Sequence, residues 1–178
     1  MKAKHFALLS MLILFFTACN FKNYSNETPR MGILVLHNHR IDTLKMYYTN
    51  DVNVFRLDTI NLGDSIFFKL ILNGVENDLT EFSFVSSDTT ATKTLFPPIS
   101  SLDTLFVKSK SDYVNGKFTF QPKALQMYLP VNYVGKKVTT TVPTVKISLT
   151  SNATFDNDPN GNKVSVTIQT PFKDVNRR

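Results

Sequence analysis

From Met31 onward the chain alternates. Ile66, Phe68, Leu70 and Leu72 alternate with Ser65, Phe67, Lys69 and Ile71; Val145, Ile147 and Leu149 alternate with Lys146 and Ser148; Val164, Val166 and Ile168 alternate with Ser165 and Thr167. A strand turns successive side chains to opposite faces, so a period of two sets one face on a core and the other toward solvent or a second layer. Less regular alternation predicts further strands over Gly32–His37, Thr43–Tyr48, Val54–Asp58, Glu81–Val85, Thr104–Val107, Lys117–Gln121, Leu125–Leu129 and Val138–Val142. No window of a dozen residues carries an apolar stripe at helical spacing.

Turn residues punctuate this pattern. Four of the six glycines fall at turn signals: Gly63 before Asp64, and Asn-Gly pairs at 73–74, 115–116 and 160–161. Asn115-Gly116, between Tyr113-Val114 and Lys117-Phe118, is the best candidate for a two-residue hairpin. Pro97-Pro98 marks a loop, and Pro143 a strand break or edge. Short strands at this spacing predict an all-β sandwich of roughly 8–10 antiparallel strands, with a β-barrel as the second reading.

A different kind of sequence precedes the alternation. Lys2 and Lys4 are followed by an apolar run, Phe6 to Phe16, broken only by Ser10. Such a run has the length of a signal-peptide core and falls short of the roughly 20 residues that span a bilayer. Phe16-Thr17-Ala18-Cys19 comes next. It resembles the lipobox of bacterial lipoproteins, in which small residues precede a cysteine that is acylated and becomes the new N-terminus; Phe16 stands where Leu is usual. The resemblance implies a cleaved signal over residues 1–18 and a lipid-modified Cys19. A flexible polar tether over residues 19–30 and a sandwich domain over residues 31–175 would follow. Cys19 is the single cysteine of the 178 residues, so no intramolecular disulfide can form. Two or three acyl chains on it would give a stable anchor. An ordinary export signal with a chance cysteine is the alternative.

Leu62-Gly63-Asp64-Ser65-Ile66-Phe67-Phe68-Lys69-Leu70 and Leu79-Thr80-Glu81-Phe82-Ser83-Phe84 resemble the B and C strands of immunoglobulin-like domains in bacterial surface proteins. That implies an immunoglobulin-like β-sandwich. The whole chain is similar to the small envelope lipoproteins common in Bacteroidetes, which implies a compartment rather than an activity. Lipoproteins of that kind sent to the cell surface commonly carry an acidic run after the cysteine. Asn20-Phe21-Lys22-Asn23 has none, which implies the periplasmic face of the outer membrane, with the cell surface as the alternative. Five triplets (Asp42-Thr43-Leu44, Asp58-Thr59-Ile60, Asp64-Ser65-Ile66, Asp88-Thr89-Thr90 and Asp103-Thr104-Leu105) resemble the O-glycosylation sequon of exported Bacteroidetes proteins. They imply glycan acceptors at Thr43, Thr59, Ser65, Thr89 or Thr104, foremost Thr89 and Thr104. An aspartate in a turn ahead of a strand reads the same way.

Loss of residues 1–18 would remove Lys2 and Lys4 from the 20 basic residues, leaving 18 against 14 acidic ones. The excess is dispersed and no basic stripe is interleaved with aromatics, so nucleic acid is not an expected partner. His37 and His39, two apart at a strand end, could share a metal ion with Asp42 as a third ligand; a polar turn is the plainer reading. Asp156-Asn157-Asp158-Pro159-Asn160-Gly161-Asn162 resembles the start of a calcium loop, with oxygens from Asp156, Asp158 and Asn160. Its twelfth position is Thr167 rather than glutamate, and Pro159 is foreign to such a loop. A plain hairpin tip between Thr154 and Lys163 is the competing expectation. No Gly-x-Ser-x-Gly elbow, phosphate-cradling glycine loop or evident catalytic carboxylate pair is present.

These features favour a binding or structural module over an enzyme. No cofactor is called for beyond the calcium ion that the loop suggests. The expected partners are the membrane, through Cys19, and other envelope proteins. A glycan ligand is weakened by the absence of tryptophan, although Tyr47, Tyr48, Tyr113, Tyr128 and Tyr133 could stack on a sugar. Two alternatives stand beside this reading: a metal-dependent envelope hydrolase built on His37 and His39, and a pilus-like surface subunit assembled after cleavage behind Arg30.

Overall fold

The structure, a computed structural model, describes residues 27–37, 40–42, 45–46 and 54–174. One sheet has five strands in the order β2 (Arg40–Asp42), β1 (Arg30–His37), β6 (Ser65–Asn73), β10 (Gln126–Gly135) and β8 (Thr92–Leu95). A second has six, in the order β3 (Lys45–Met46), β4 (Val54–Arg56), β12 (Lys163–Gln169), β11 (Thr144–Ser151), β7 (Leu79–Ser86) and β9 (Lys117–Thr119). A small parallel pair joins β5 (Ile60–Asn61) to β13 (Phe172–Lys173). A one-turn helix, α1 (Ile99–Leu102), and a 3-10 turn over Lys108–Lys110 lie between β8 and β9. Among the described residues neither sheet closes on itself, so the protein is an all-β sandwich and not a barrel. No helix among them is long and apolar enough to cross a membrane.

The order β1-β6-β10-β8 reproduces the A-B-E-D sheet of an immunoglobulin-like sandwich, and β7-β11-β12 reproduces its C-F-G sheet. Two details depart from the expectation of 8–10 antiparallel strands. Thirteen strands are present among the described residues, and β4 pairs with β12 in parallel, as β5 does with β13. The extra strands are mostly pieces of two or three residues, which alternation over a longer window cannot register.

The inner faces hold the core. Ile66, Phe68, Leu70 and Leu72 of β6 are fully buried, as are Leu129, Val131 and Tyr133 of β10. Opposite them stand Phe82 and Phe84 of β7 and Val145, Ile147 and Leu149 of β11. The rings of Phe68 and Phe84 meet edge to face at 5.2 Å, a geometry that places the positive ring edge on the negative face. From Phe84 an aromatic series continues through Phe96, Phe118 and Phe106 to Phe120, with centroids 4.8–6.1 Å apart. This second cluster pins the irregular 96–120 segment to the end of β7.

Several expected strands take other forms. Thr104–Val107 is a turn behind α1: Phe106 makes one isolated bridge to Phe120, and its ring is used in the aromatic cluster instead of a ladder. Val138–Val142 is a bent loop with Val138 half-exposed, its β-branched residues having no strand to pair with. Asn115-Gly116 is not a two-residue hairpin. Asp112 and Lys117 exchange main-chain hydrogen bonds of 2.7 and 2.9 Å, closing a four-residue turn whose Gly116 has φ +65°. Strand β8, polar in sequence, exists because it pairs with Asn132–Gly135 of β10. Pro130 lies on the part of β10 that β8 does not reach, so its missing N–H breaks no ladder.

Residues 27–30, counted with the tether in the sequence, lie against the sandwich. Pro29 is buried, Arg30 opens β1, and the Glu27 carbonyl accepts a 3.4 Å hydrogen bond from Asn77 Nδ2.

Candidate functional site

The outward face of the six-stranded sheet carries a cleft of about 350 Å³, within the range of small-ligand sites. The pleat builds its floor. Because Phe82, Phe84, Ile147 and Leu149 point inward, Glu81 and Ser83 of β7 and Ser148 and Thr150 of β11 point outward. Pairing then sets Thr150 opposite Glu81, and Ser148 opposite Ser83. Lys163 of β12 stands beside Thr150 on one flank, and Lys117 of β9 beside Ser83 on the other. The third cation, Lys110, comes from the 3-10 turn.

That turn is strapped to β9 by hydrogen bonds. Thr119 Oγ1 donates to the Lys110 carbonyl at 3.1 Å, and the Thr119 N–H donates to Ser111 Oγ at 3.0 Å. The Val107 N–H completes the strap by donating to the Thr119 carbonyl at 2.8 Å. Below it, Tyr113 stacks on Phe118 at 5.5 Å and donates its hydroxyl to Asp103 Oδ1 at 2.9 Å. Burial and the Asp103 carboxylate push the Tyr113 phenol up to about 12. Lys108 pairs with the other Asp103 oxygen at 3.3 Å. In the turn ahead of Lys117, the Asn115 side chain and then its main-chain N–H donate to Asp112, holding that carboxyl below the usual range.

The three cleft lysines are exposed, and none is in an ion pair among the described residues. Ser83, Ser148 and Thr150 likewise have no side-chain hydrogen bond there. Glu81 is the single acid among the described lining residues, so the cleft carries net positive charge, with hydroxyls on its floor of which that of Ser148 belongs to a buried residue. Phe82 and Phe118 border it with their backbone, since both rings are turned into the core. The arrangement can hold an anion and hydrogen-bond to its neutral substituents.

The residues singled out in the sequence do not gather here. His37 is at the end of β1, its Nε2 3.2 Å from Asp64 Oδ2, which also accepts from Asn61 Nδ2 at 3.2 Å. The pair braces the β1 end against the turn before β6. His39, Cys19 and Thr43 lie outside the described residues. Among the described residues no three His, Cys, Asp or Glu side chains converge as a metal-binding group. Asp156, Asp158 and Asn160 are exposed in the loop joining β11 to β12. Asp158 Oδ1 accepts from the Asn160 N–H at 2.9 Å, and a Cβ on Gly161 would lie 2.6 Å from the Phe155 ring.

Of the glycan-acceptor candidates, Thr59, Thr89 and Thr104 are exposed and Ser65 is partly buried at the start of β6. Their aspartates organise local structure. Asp88 accepts from the Thr90 hydroxyl and N–H and the Ala91 N–H, and these bonds lower its pKa. Of the tyrosines, Tyr133 is core, Tyr113 packs under the cleft and Tyr128 is half-exposed on the other sheet; Tyr47 and Tyr48 lie outside the described residues. Sequence reasoning passed over Lys110, Lys117, Lys163 and the hydroxyls between them. The available signal was the hydroxyl at Ser83, Ser148 and Thr150, each the outward member of an alternating strand. No protein-family model matches the chain, and no curated protein is similar to it at a significant level.

Proposed function

We propose that the protein is a non-catalytic binding module of the bacterial cell envelope, anchored in the outer membrane by an acylated Cys19, with its sandwich on the periplasmic side. The observation that carries the binding role is the cleft. Three lysines without ion pairs and three hydroxyls without side-chain hydrogen bonds among the described residues line one cleft, and such groups suit reversible capture of a ligand. Among the described residues no cleft hydroxyl is hydrogen-bonded to a basic side chain, the arrangement that would activate it as a nucleophile. Support for the anchor comes from the apolar run Phe6 to Phe16 and from Thr17-Ala18-Cys19.

Cell fractionation tests the anchor. The wild-type chain, expressed with its own leader, is expected in the membrane fraction and to need detergent for release. Cys19→Ser is expected to be released from the membrane or mislocalised while remaining folded. Cys19→Ser protein that stays membrane-bound in high salt overturns the anchored reading.

A further inference from the structure

We infer that the cleft binds an acidic oligosaccharide, a sugar chain bearing carboxylate or sulfate groups; this rests on the binding-module reading and names its ligand. Three features of the cleft lead there. The first is charge: Lys110, Lys117 and Lys163 line the cleft with Glu81 as the one acid among the described lining residues, so the ligand is expected to bring anions. The second is spread. Lys117 on β9 and Lys163 on β12 are separated by β7 and β11, three strand spacings or about 14 Å of sheet. One small anion cannot touch both flanks, whereas a chain with anions along its length can.

The third feature is the floor. Ser83, Ser148 and Thr150 offer hydroxyls that both donate and accept, while the Glu81 carboxylate only accepts. A ligand lying over Glu81 must present hydrogen-bond donors between its anionic groups. Sugar hydroxyls do this; a bare polyanion such as polyphosphate has no donor to give and would be repelled there. An acidic peptide would bring apolar side chains too, and the cleft gives them no aromatic ring to pack on, because Phe82 and Phe118 are each only 2% exposed. Without an aromatic platform, recognition runs through charge and hydrogen bonds, so a neutral glycan is not held. The absence of tryptophan therefore argues against neutral sugars and leaves acidic ones open.

The test uses the full chain in mild detergent and immobilised polygalacturonate, dextran sulfate, neutral dextran and anionic phospholipid vesicles. Retention is expected on one or both acidic glycans near physiological salt and not on dextran. Preference for polygalacturonate assigns carboxylate, and preference for dextran sulfate assigns sulfate. The triple variant Lys110→Gln, Lys117→Gln and Lys163→Gln is expected to bind about tenfold more weakly, since exposed charge pairs each contribute modestly. A charge-matched control, Lys69→Gln with Lys93→Gln and Lys123→Gln, is expected to bind within about twofold of wild type. Equal losses in both triple variants, no retention on either acidic glycan, or stronger binding to the vesicles each overturn the proposal. Any of these with Cys19-dependent membrane attachment intact removes the ligand but leaves the anchor; a membrane-bound Cys19→Ser chain removes the anchor alone.

Discussion

The two sheets share one core and turn opposite kinds of surface outward. On the five-stranded sheet the central strand β6 shows Phe67, Lys69 and Ile71, with Leu34 beside Lys69 on β1 and Tyr128 beside Ile71 on β10. Phe67, Ile71 and Tyr128 are 38%, 50% and 53% exposed. On the six-stranded sheet the central strand β11 shows Lys146, Ser148 and Thr150, with Ser83 and Glu81 on one side and Ser165 and Lys163 on the other. The inward residues of both strands are equally buried; the outward Phe67, Lys69 and Ile71 of β6 are all exposed, whereas on β11 Lys146 is exposed, Thr150 partly so and Ser148 buried. The period of two therefore decides which residues leave the core, and carries no instruction about the chemistry of the outer side. Stability is drawn from the shared interior, and the proposed ligand face is made of outward lysines and hydroxyls that the core does not use.

The sharpest way to break this comparison uses two adjacent phenylalanines. Phe68 is fully buried and meets Phe84 and Tyr133; Phe67, next to it on β6, faces out. Phe68→Ala is expected to cost about 3–5 kcal/mol, through lost burial and the cavity left behind. Phe67→Ala is expected to cost less than about 1 kcal/mol and to leave binding at the opposite face unchanged. Urea unfolding of both variants checks this. Comparable losses would mean that the five-stranded outer face is part of the stabilising interior.

A smaller effect is confined to the six-stranded side. Gly116 has φ +65°, and a Cβ there would lie 2.2 Å from the Phe84 carbonyl oxygen. Its own carbonyl accepts the Phe84 N–H at 2.8 Å. Gly116→Ala is expected to cost about 2–3 kcal/mol, from the left-handed conformation together with the backbone clash. Because Lys117 follows directly, acidic-glycan binding should weaken in the protein that remains folded. A variant as stable as wild type would show that the 113–116 turn can relax without strain.

What was legible follows the range of the interaction. Strands β6, β11 and β12 were readable because their alternation is long and turn residues bound it. Strand β8 was hidden because Thr92–Leu95 has little apolar character and owes its form to a partner more than thirty residues on. Thr104–Val107 misled because its apolar residues serve an aromatic cluster, and composition does not distinguish a ring used in a cluster from one used on a strand face. The cleft was out of reach for a related reason. Lys117 and Lys163 reach one cleft only through the β9-β7-β11-β12 order and Lys110 only through the 3-10 turn strapped to β9, and nothing local marks them apart from other surface lysines.

The finest distinction between the two faces lies in Tyr113, whose hydroxyl bond to Asp103 ties down the segment that leads to Lys110 and Lys117. Tyr113→Phe keeps the ring on Phe118 and deletes that bond, so about 1 kcal/mol of stability should be lost at neutral pH. The same substitution tests a pH dependence. The phenol's pKa rises from 10.0 to about 12 on folding, so the folded state holds its proton more tightly than the unfolded chain. Its contribution is complete below the unfolded value of 10.0 and is lost as pH rises through the folded value of about 12. Wild-type stability should therefore fall between these limits more steeply than that of Tyr113→Phe, and the two urea midpoints should converge as the solution becomes alkaline. Parallel curves across that window would show that neither burial nor the Asp103 bond distinguishes the protonated phenol from the phenolate. The coupling of the 3-10 turn to the cleft would then rest on the Thr119 and Ser111 hydrogen bonds alone.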